Sequence, residues 1–102
     1  MSNVLVDINK LAGIVKTTGE DKVVSSTVKK LIDYKRKEME AGLERIKKRL
    51  KKFEHQYSMT SKGFEKRYIQ GELGDDMDFI QWHSTLDMYG KIKKQLEGLD
   101  AR

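Results

Sequence analysis

The sequence of 102 residues contains no cysteine and no proline, and only 8% of its residues are aromatic. Without cysteine, the chain has no disulfide, no thiolate metal ligand and no thiol nucleophile. The absence of proline is compatible with long helices and few ordered loops. Apolar runs extend over a few residues only, and the first residues lack the basic and then apolar pattern of a signal peptide. We therefore expect one cytoplasmic domain, residues 1–102, whose thin hydrophobic core favours self-association.

What the sequence does contain is an apolar seam with alternating spacings of three and four residues between positions 27 and 57. This period predicts one long helix with a narrow apolar side, which another helix must cover. The seam consists of Ile32, Arg36, Met39, Leu43, Ile46, Leu50, Phe53 and Tyr57. The same spacing returns in a C-terminal stretch that includes Phe79, Trp82 and Leu86. We expect that helix to pack antiparallel on the long one, within a helix-turn-helix segment over residues 60–99.

The N-terminal stretch, residues 1–35, shows a different pattern. Val4, Val6 and Ile8 alternate with other residues, which predicts a short strand. A short helix follows, with Asn9 as its N-cap and Gly19 at its end. Since no second strand is evident downstream, the strand is expected to pair with the same strand of another copy. The predicted fold class is therefore mainly α, with a short N-terminal strand and a helical hairpin, in a dimer.

The order of strand, short helix, glycine turn and long helix resembles the ribbon-helix-helix domains of many antitoxins. That resemblance implies a paired ribbon that enters the DNA major groove. Asn3, Leu5 and Asp7 would face the DNA, and none of them is positively charged. The alternative is a strand or extended arm that serves dimerisation alone. In either case the dimerisation residues are predicted to be Val4, Val6, Ile8, Val28, Ile32 and Met39.

Charge is distributed unevenly along the chain, whose net charge is +5. Residues 29–52 hold eleven Lys or Arg and four acids, whereas residues 71–90 hold five acids and no Lys or Arg. A dense basic cluster near the end of the long helix consists of Arg45, Lys47, Lys48, Arg49, Lys51 and Lys52. These residues either complement the helix dipole, contact the acidic segment or bind nucleic acid. Contact with DNA phosphates predicts binding that weakens steeply with salt.

A second resemblance covers residues 50–97. Its motif runs through Met59, Thr60, Ser61, Phe64, Tyr68, Gly71, Glu72, Leu73, Gly74, Asp75, Asp76, Asp78, Phe79 and Trp82. The segment resembles one shared by many small archaeal and bacterial proteins, encoded beside toxin-like genes, in which it also follows a lysine-rich helix. The resemblance implies an antitoxin role and a partner-binding surface made by Glu72, Asp75, Asp76, Asp78, Phe79 and Trp82. The alternative is purely structural, with two glycines for the turn, an aspartate cap and aromatic core residues.

The sequence offers no catalytic constellation. Its serines cluster at predicted helix caps, and no nucleophile or phosphate-binding loop accompanies the acids, so we expect no enzyme, catalytic residue or cofactor. A carboxylate-histidine metal site formed by His83, Asp87 and Asp76 is an alternative. The leading hypothesis is an antitoxin-like protein that neutralises a small basic toxin, with operator DNA as a further ligand. The alternative is a self-associating helical scaffold protein that binds no nucleic acid.

Overall fold

In a computed structural model, which describes residues 3–100, the chain forms four helices. α1 spans Val4–Thr18, α2 spans Lys22–Tyr57, α3 spans Ser61–Ile69 and α4 spans Met77–Asp100. The predicted mainly helical composition is confirmed. The chain divides into two compact units, with the boundary between Tyr34 and Lys35. We call residues 3–34 the N-terminal unit and residues 35–100 the C-terminal unit.

The predicted N-terminal strand is wrong, because α1 occupies that stretch and no strand occurs within residues 3–100. Asn3, and not Asn9, is the N-cap: its Oδ1 accepts hydrogen bonds from the backbone N–H groups of Leu5 (3.1 Å) and Val6 (3.4 Å). The alternation covers only three residues of a longer apolar stretch that also fits helical spacing. Without a strand there is no ribbon, so the ribbon-helix-helix interpretation is withdrawn.

The N-terminal unit is a small helical pair formed by α1 and residues 22–34 of α2. Gly19 ends α1 with φ +82°, a conformation that favours glycine, and its N–H donates to the carbonyl of Val15. The side chain of Asp21 then accepts from the N–H of Val24 at 2.8 Å and caps the start of α2. Ile8 and Leu11 of α1 share a groove of about 340 Å³ with the first turns of α2. α1 nevertheless contains no buried residue.

In the C-terminal unit, α4 runs antiparallel to α2. Arg36 of α2 pairs with Asp100 at the end of α4 at 2.7 Å, and Tyr57 at the end of α2 donates to Asp78 in the first turn of α4. α3 lies between the two in sequence, and Thr60 is its N-cap: the Oγ1 of Thr60 accepts from the N–H of Gly63 at 3.0 Å. The core residues come from three helices: Ile46, Leu50, Phe53, Phe64 and Trp82.

Aromatic stacking organises this core. The rings of Phe64 and Trp82 are both 0% exposed and lie parallel, 4.0 Å apart between centroids. Phe53 stacks on the other side of the indole at 5.5 Å. The indole N–H donates to the Oγ of Ser61 at 3.0 Å, so its one polar atom is satisfied inside the unit. Three helices therefore meet at a single side chain.

Candidate protein-binding surfaces

The acidic turn between α3 and α4 is built by backbone geometry. Gly71 and Gly74 adopt φ values of +75° and +76°, which glycine tolerates without strain. Asp76 then caps α4: its Oδ1 accepts from the N–H of Asp78 at 2.9 Å, and its carbonyl accepts from Phe79 and Ile80. One acid of the turn therefore has a structural role.

Asp78 has a structural role as well. Its Oδ2 accepts from the hydroxyl of Tyr57 and from the side-chain amide of Gln56 at 3.3 Å. The hydrogen bond to Asp78, helped by burial and by the charges of Asp78 and Asp76, raises the pKa of Tyr57 from 10.0 to about 12. Ionised Tyr57 would lose this bond and face a carboxylate, so the bond tethers α2 to α4 only while the phenol keeps its proton.

This tether makes a pH prediction. Since the folded pKa of Tyr57 lies above the unfolded value, its stabilising contribution is complete below pH 10.0 and disappears as the pH rises through about 12. In ultraviolet titrations of phenolate formation, the difference between the wild type and Tyr57→Phe should have its midpoint near pH 12. Asp78→Asn should move that midpoint down. A difference curve centred near pH 10 would show that the tether is not formed.

The remaining members of the predicted partner surface differ in exposure. Trp82 is fully buried and Phe79 is half-buried, with its ring 5.1 Å from that of Tyr57. Glu72 and Asp75 are exposed. Glu72 lies 3.4 Å from the Nε of Arg67, whereas Asp75 has no hydrogen-bond or ion-pair partner within residues 3–100. Of the six predicted residues, Glu72 and Asp75 present the carboxylates that the fold leaves most available.

The six basic residues of α2 are all exposed, but they do not form one patch. Arg45 and Arg49 line the groove between α2 and α4 on one side. Lys47 and Lys51 line a groove on the opposite side of α2, near α3. Four residues of the basic cluster therefore lie on two flanks of the helix, whereas Lys48 and Lys52 line neither groove.

The N-terminal unit carries the largest set of exposed apolar side chains in the described chain. Five of the six predicted dimerisation residues lie in this unit and are exposed, whereas Met39 lies in the C-terminal unit and is half-buried. The prediction missed Leu5, which is 69% exposed, and Leu31, which is 60% exposed. The full set is Val4, Leu5, Val6, Ile8, Leu11, Ile14, Val23, Val28, Leu31, Ile32 and Tyr34.

The three residues of the alternative metal site each have another contact in the structure. The Nδ1 of His83 lies 2.6 Å from Glu65, Asp87 pairs with Lys91 at 2.9 Å, and Asp76 caps α4. Nowhere in residues 3–100 do three or more acidic, histidine or cysteine side chains come together as metal ligands.

No protein-family model matches the chain, and no curated protein or solved structure is significantly similar to it. Among the described helices, none combines the length and the apolar character that a membrane crossing requires. The exposed surfaces of the two units are therefore the features that bear on function.

Proposed function

We propose that this chain is an antitoxin-like binding protein of the cytoplasm, which self-associates through its N-terminal unit and holds a small basic toxin. The observation that carries the protein-binding role is the exposure of α1. A fifteen-residue helix without a buried residue is marginal by itself, because isolated helices of this length gain too little from local hydrogen bonds. Monomeric proteins rarely leave so many apolar side chains in the solvent.

A second copy of the chain is the proposed cover for this surface. Val4, Val6 and Ile8 of α1 and Val28 and Ile32 of α2 offer apolar area on both helices of the unit. Burying each such side chain contributes about 1.5–3 kcal/mol, and a two-fold dimer buries every one of them twice. The alternative function, a self-associating scaffold protein, uses the same surface.

Toxin binding is assigned to the acidic turn. Its test leaves Asp76 and Asp78 unchanged, because the fold depends on their hydrogen bonds. Glu72→Lys combined with Asp75→Lys reverses two exposed charges. We expect recovery of a small basic protein from native extract to fall at least about tenfold, since charges facing a partner of opposite sign dominate recognition. Asp87→Lys with Glu97→Lys makes the same charge change on α4 and should leave recovery unaltered.

The readout is affinity purification with the tagged chain as bait, followed by mass spectrometry. A stoichiometric small basic protein that only the turn variant loses supports the antitoxin role. Recovery of the bait alone would favour the self-associating scaffold. Circular dichroism of both variants serves as the folding control, because the Glu72–Arg67 pair is exposed on both sides and contributes little to stability.

Operator DNA is the proposed second ligand. The six exposed basic residues of α2 support it, since a dimer would present two such helices. Because Arg45 and Arg49 lie on one flank of α2 and Lys47 and Lys51 on the other, only some of the six can reach one duplex at the same time.

A further inference from the structure

The side of the α2–α4 pair that carries Arg45 and Arg49 is an open, continuous groove. Two adjoining troughs of about 570 and 230 Å³ share Arg49 and Met88. Their lining is mixed: polar groups make up about half of the larger trough, and the floor holds the buried Phe53 and Ile46 of α2 and the half-buried Ile92 of α4. The rims are formed by Gly42, Arg45 and Arg49 on α2 and by Ile80, Gln81, Ser84 and Met88 on α4, whereas Thr85, which also lines the larger trough, is buried.

The charges of this groove have one sign. Two arginines line it and no acid does. Neither Arg45 nor Arg49 has an ion-pair partner within residues 3–100. The two lie one helical turn apart, so their guanidinium groups follow the same edge of the groove. Arg45 and Arg49 therefore carry unpaired positive charges beside apolar side chains of the groove floor that a ligand could cover.

The α4 side adds adaptable apolar contacts. Ile80 and Met88 both line the larger trough and are 43% and 44% exposed. Methionine fills irregular gaps and is common in grooves that accept amphipathic helices. Gly42 keeps the α2 rim open, since a Cβ there would meet only the end of the Arg45 side chain, at 3.7 Å.

We propose that this groove binds an acidic amphipathic helix of another protein. Apolar anchors at three-four spacing would lie on the floor, and carboxylates at positions i and i+4 would pair with Arg45 and Arg49. A second copy fits poorly, because its one helical pair of acids at this spacing, Glu40 and Glu44, lies in the basic stretch 29–52 of α2, whose eleven Lys or Arg would repel Arg45 and Arg49. This acidic partner is chemically distinct from the basic toxin proposed to bind the acidic turn. All residues that line the groove belong to the C-terminal unit.

The probe is a fluorescein-labelled helical peptide of about 15 residues, or about 22 Å, with leucine anchors flanked by glutamates at i and i+4. A second peptide replaces every glutamate by lysine. In fluorescence anisotropy titrations the glutamate peptide should bind the wild-type chain at least about tenfold more tightly than the lysine peptide.

Three variants locate the binding site. Arg45→Glu with Arg49→Glu should weaken binding of the glutamate peptide at least about tenfold. Lys47→Glu with Lys51→Glu makes the same charge change on the opposite flank of α2 and should alter binding by less than about twofold. Gly42→Leu fills the groove without any change of charge, so it should weaken binding while leaving the melting temperature unchanged or raised, because leucine is the better helix former.

Absence of peptide binding overturns the proposal, as does equal weakening by the two charge-reversal variants, since that result means general attraction to a basic helix. Tight binding by Gly42→Leu would place the peptide elsewhere. A 20-base-pair DNA duplex is titrated in parallel. If the duplex binds through Arg45 and Arg49 while the glutamate peptide does not bind, this flank contacts nucleic acid instead.

Discussion

Trp82→Ala is expected to unfold the C-terminal unit. The substitution removes the ring that contacts both Phe64 and Phe53, and no neighbouring side chain can fill the space left between three helices. Replacing a fully buried tryptophan by alanine typically costs about 3–5 kcal/mol. A unit of this size has about 3–10 kcal/mol of stability in total, so most of it would be lost.

The measurement is urea unfolding followed by far-ultraviolet circular dichroism. Met77→Ala is the matched control, because Met77 lies on the same helix and is 65% exposed, so it should cost less than about 0.5 kcal/mol. Trp82→Phe keeps an aromatic ring but loses the hydrogen bond to Ser61, and it should fall between the two. A cooperative transition of Trp82→Ala within about 1 kcal/mol of the wild type would disprove the central role of this side chain.

The second large effect concerns assembly. Leu5→Glu combined with Leu31→Glu should convert the protein from a dimer or larger oligomer to a monomer of 11.9 kDa. Each substitution puts a charge where a partner's apolar surface is proposed to lie, and a two-fold interface contains each twice. At about 1.5 kcal/mol or more for each lost apolar contact, dissociation should become easier by at least about 1,000-fold.

Sedimentation equilibrium over a range of concentrations measures this change. Neither leucine lines the groove between α1 and α2, so the N-terminal unit can keep its own contacts. Asn9→Glu with Ser26→Glu adds the same charge at exposed polar positions of the same two helices and should leave the assembly intact. A wild-type chain that sediments as a monomer throughout would remove self-association from the proposed function.

How far the sequence predicted the structure can be judged from particular residues. The seam positions Ile46, Leu50 and Phe53 are the buried residues of α2, because a sustained three-four period reports which side of a helix is covered. The alternation of Val4, Val6 and Ile8 predicted a strand, whereas these residues lie in α1. Three alternating β-branched residues satisfy a strand pattern and also fit a helix that is apolar on several sides. The N-cap at Asn3, one residue before Val4, marks this stretch as the start of a helix and not as a strand.

The candidate sites were less predictable, since they depend on contacts between distant residues. Spacing alone could not show that Tyr57 and Gln56 use the carboxylate of Asp78, because they lie more than twenty residues away in sequence. Spacing also could not show that Arg45 and Arg49 line the same groove as Met88, because Met88 lies on another helix. A basic run in sequence indicates net charge, whereas the groove appears only when two helices are packed.

The burial of Trp82 also decides what optical methods can report. It is the only tryptophan of the chain, so intrinsic emission at long excitation wavelengths comes from the C-terminal unit alone. Stacked between two phenylalanine rings and shielded from water, the indole should emit toward the blue and shift to the red when this unit opens. Loss of structure in residues 3–34 would leave the emission unchanged. A melt recorded by emission and by ellipticity together would thus separate the two units without any label.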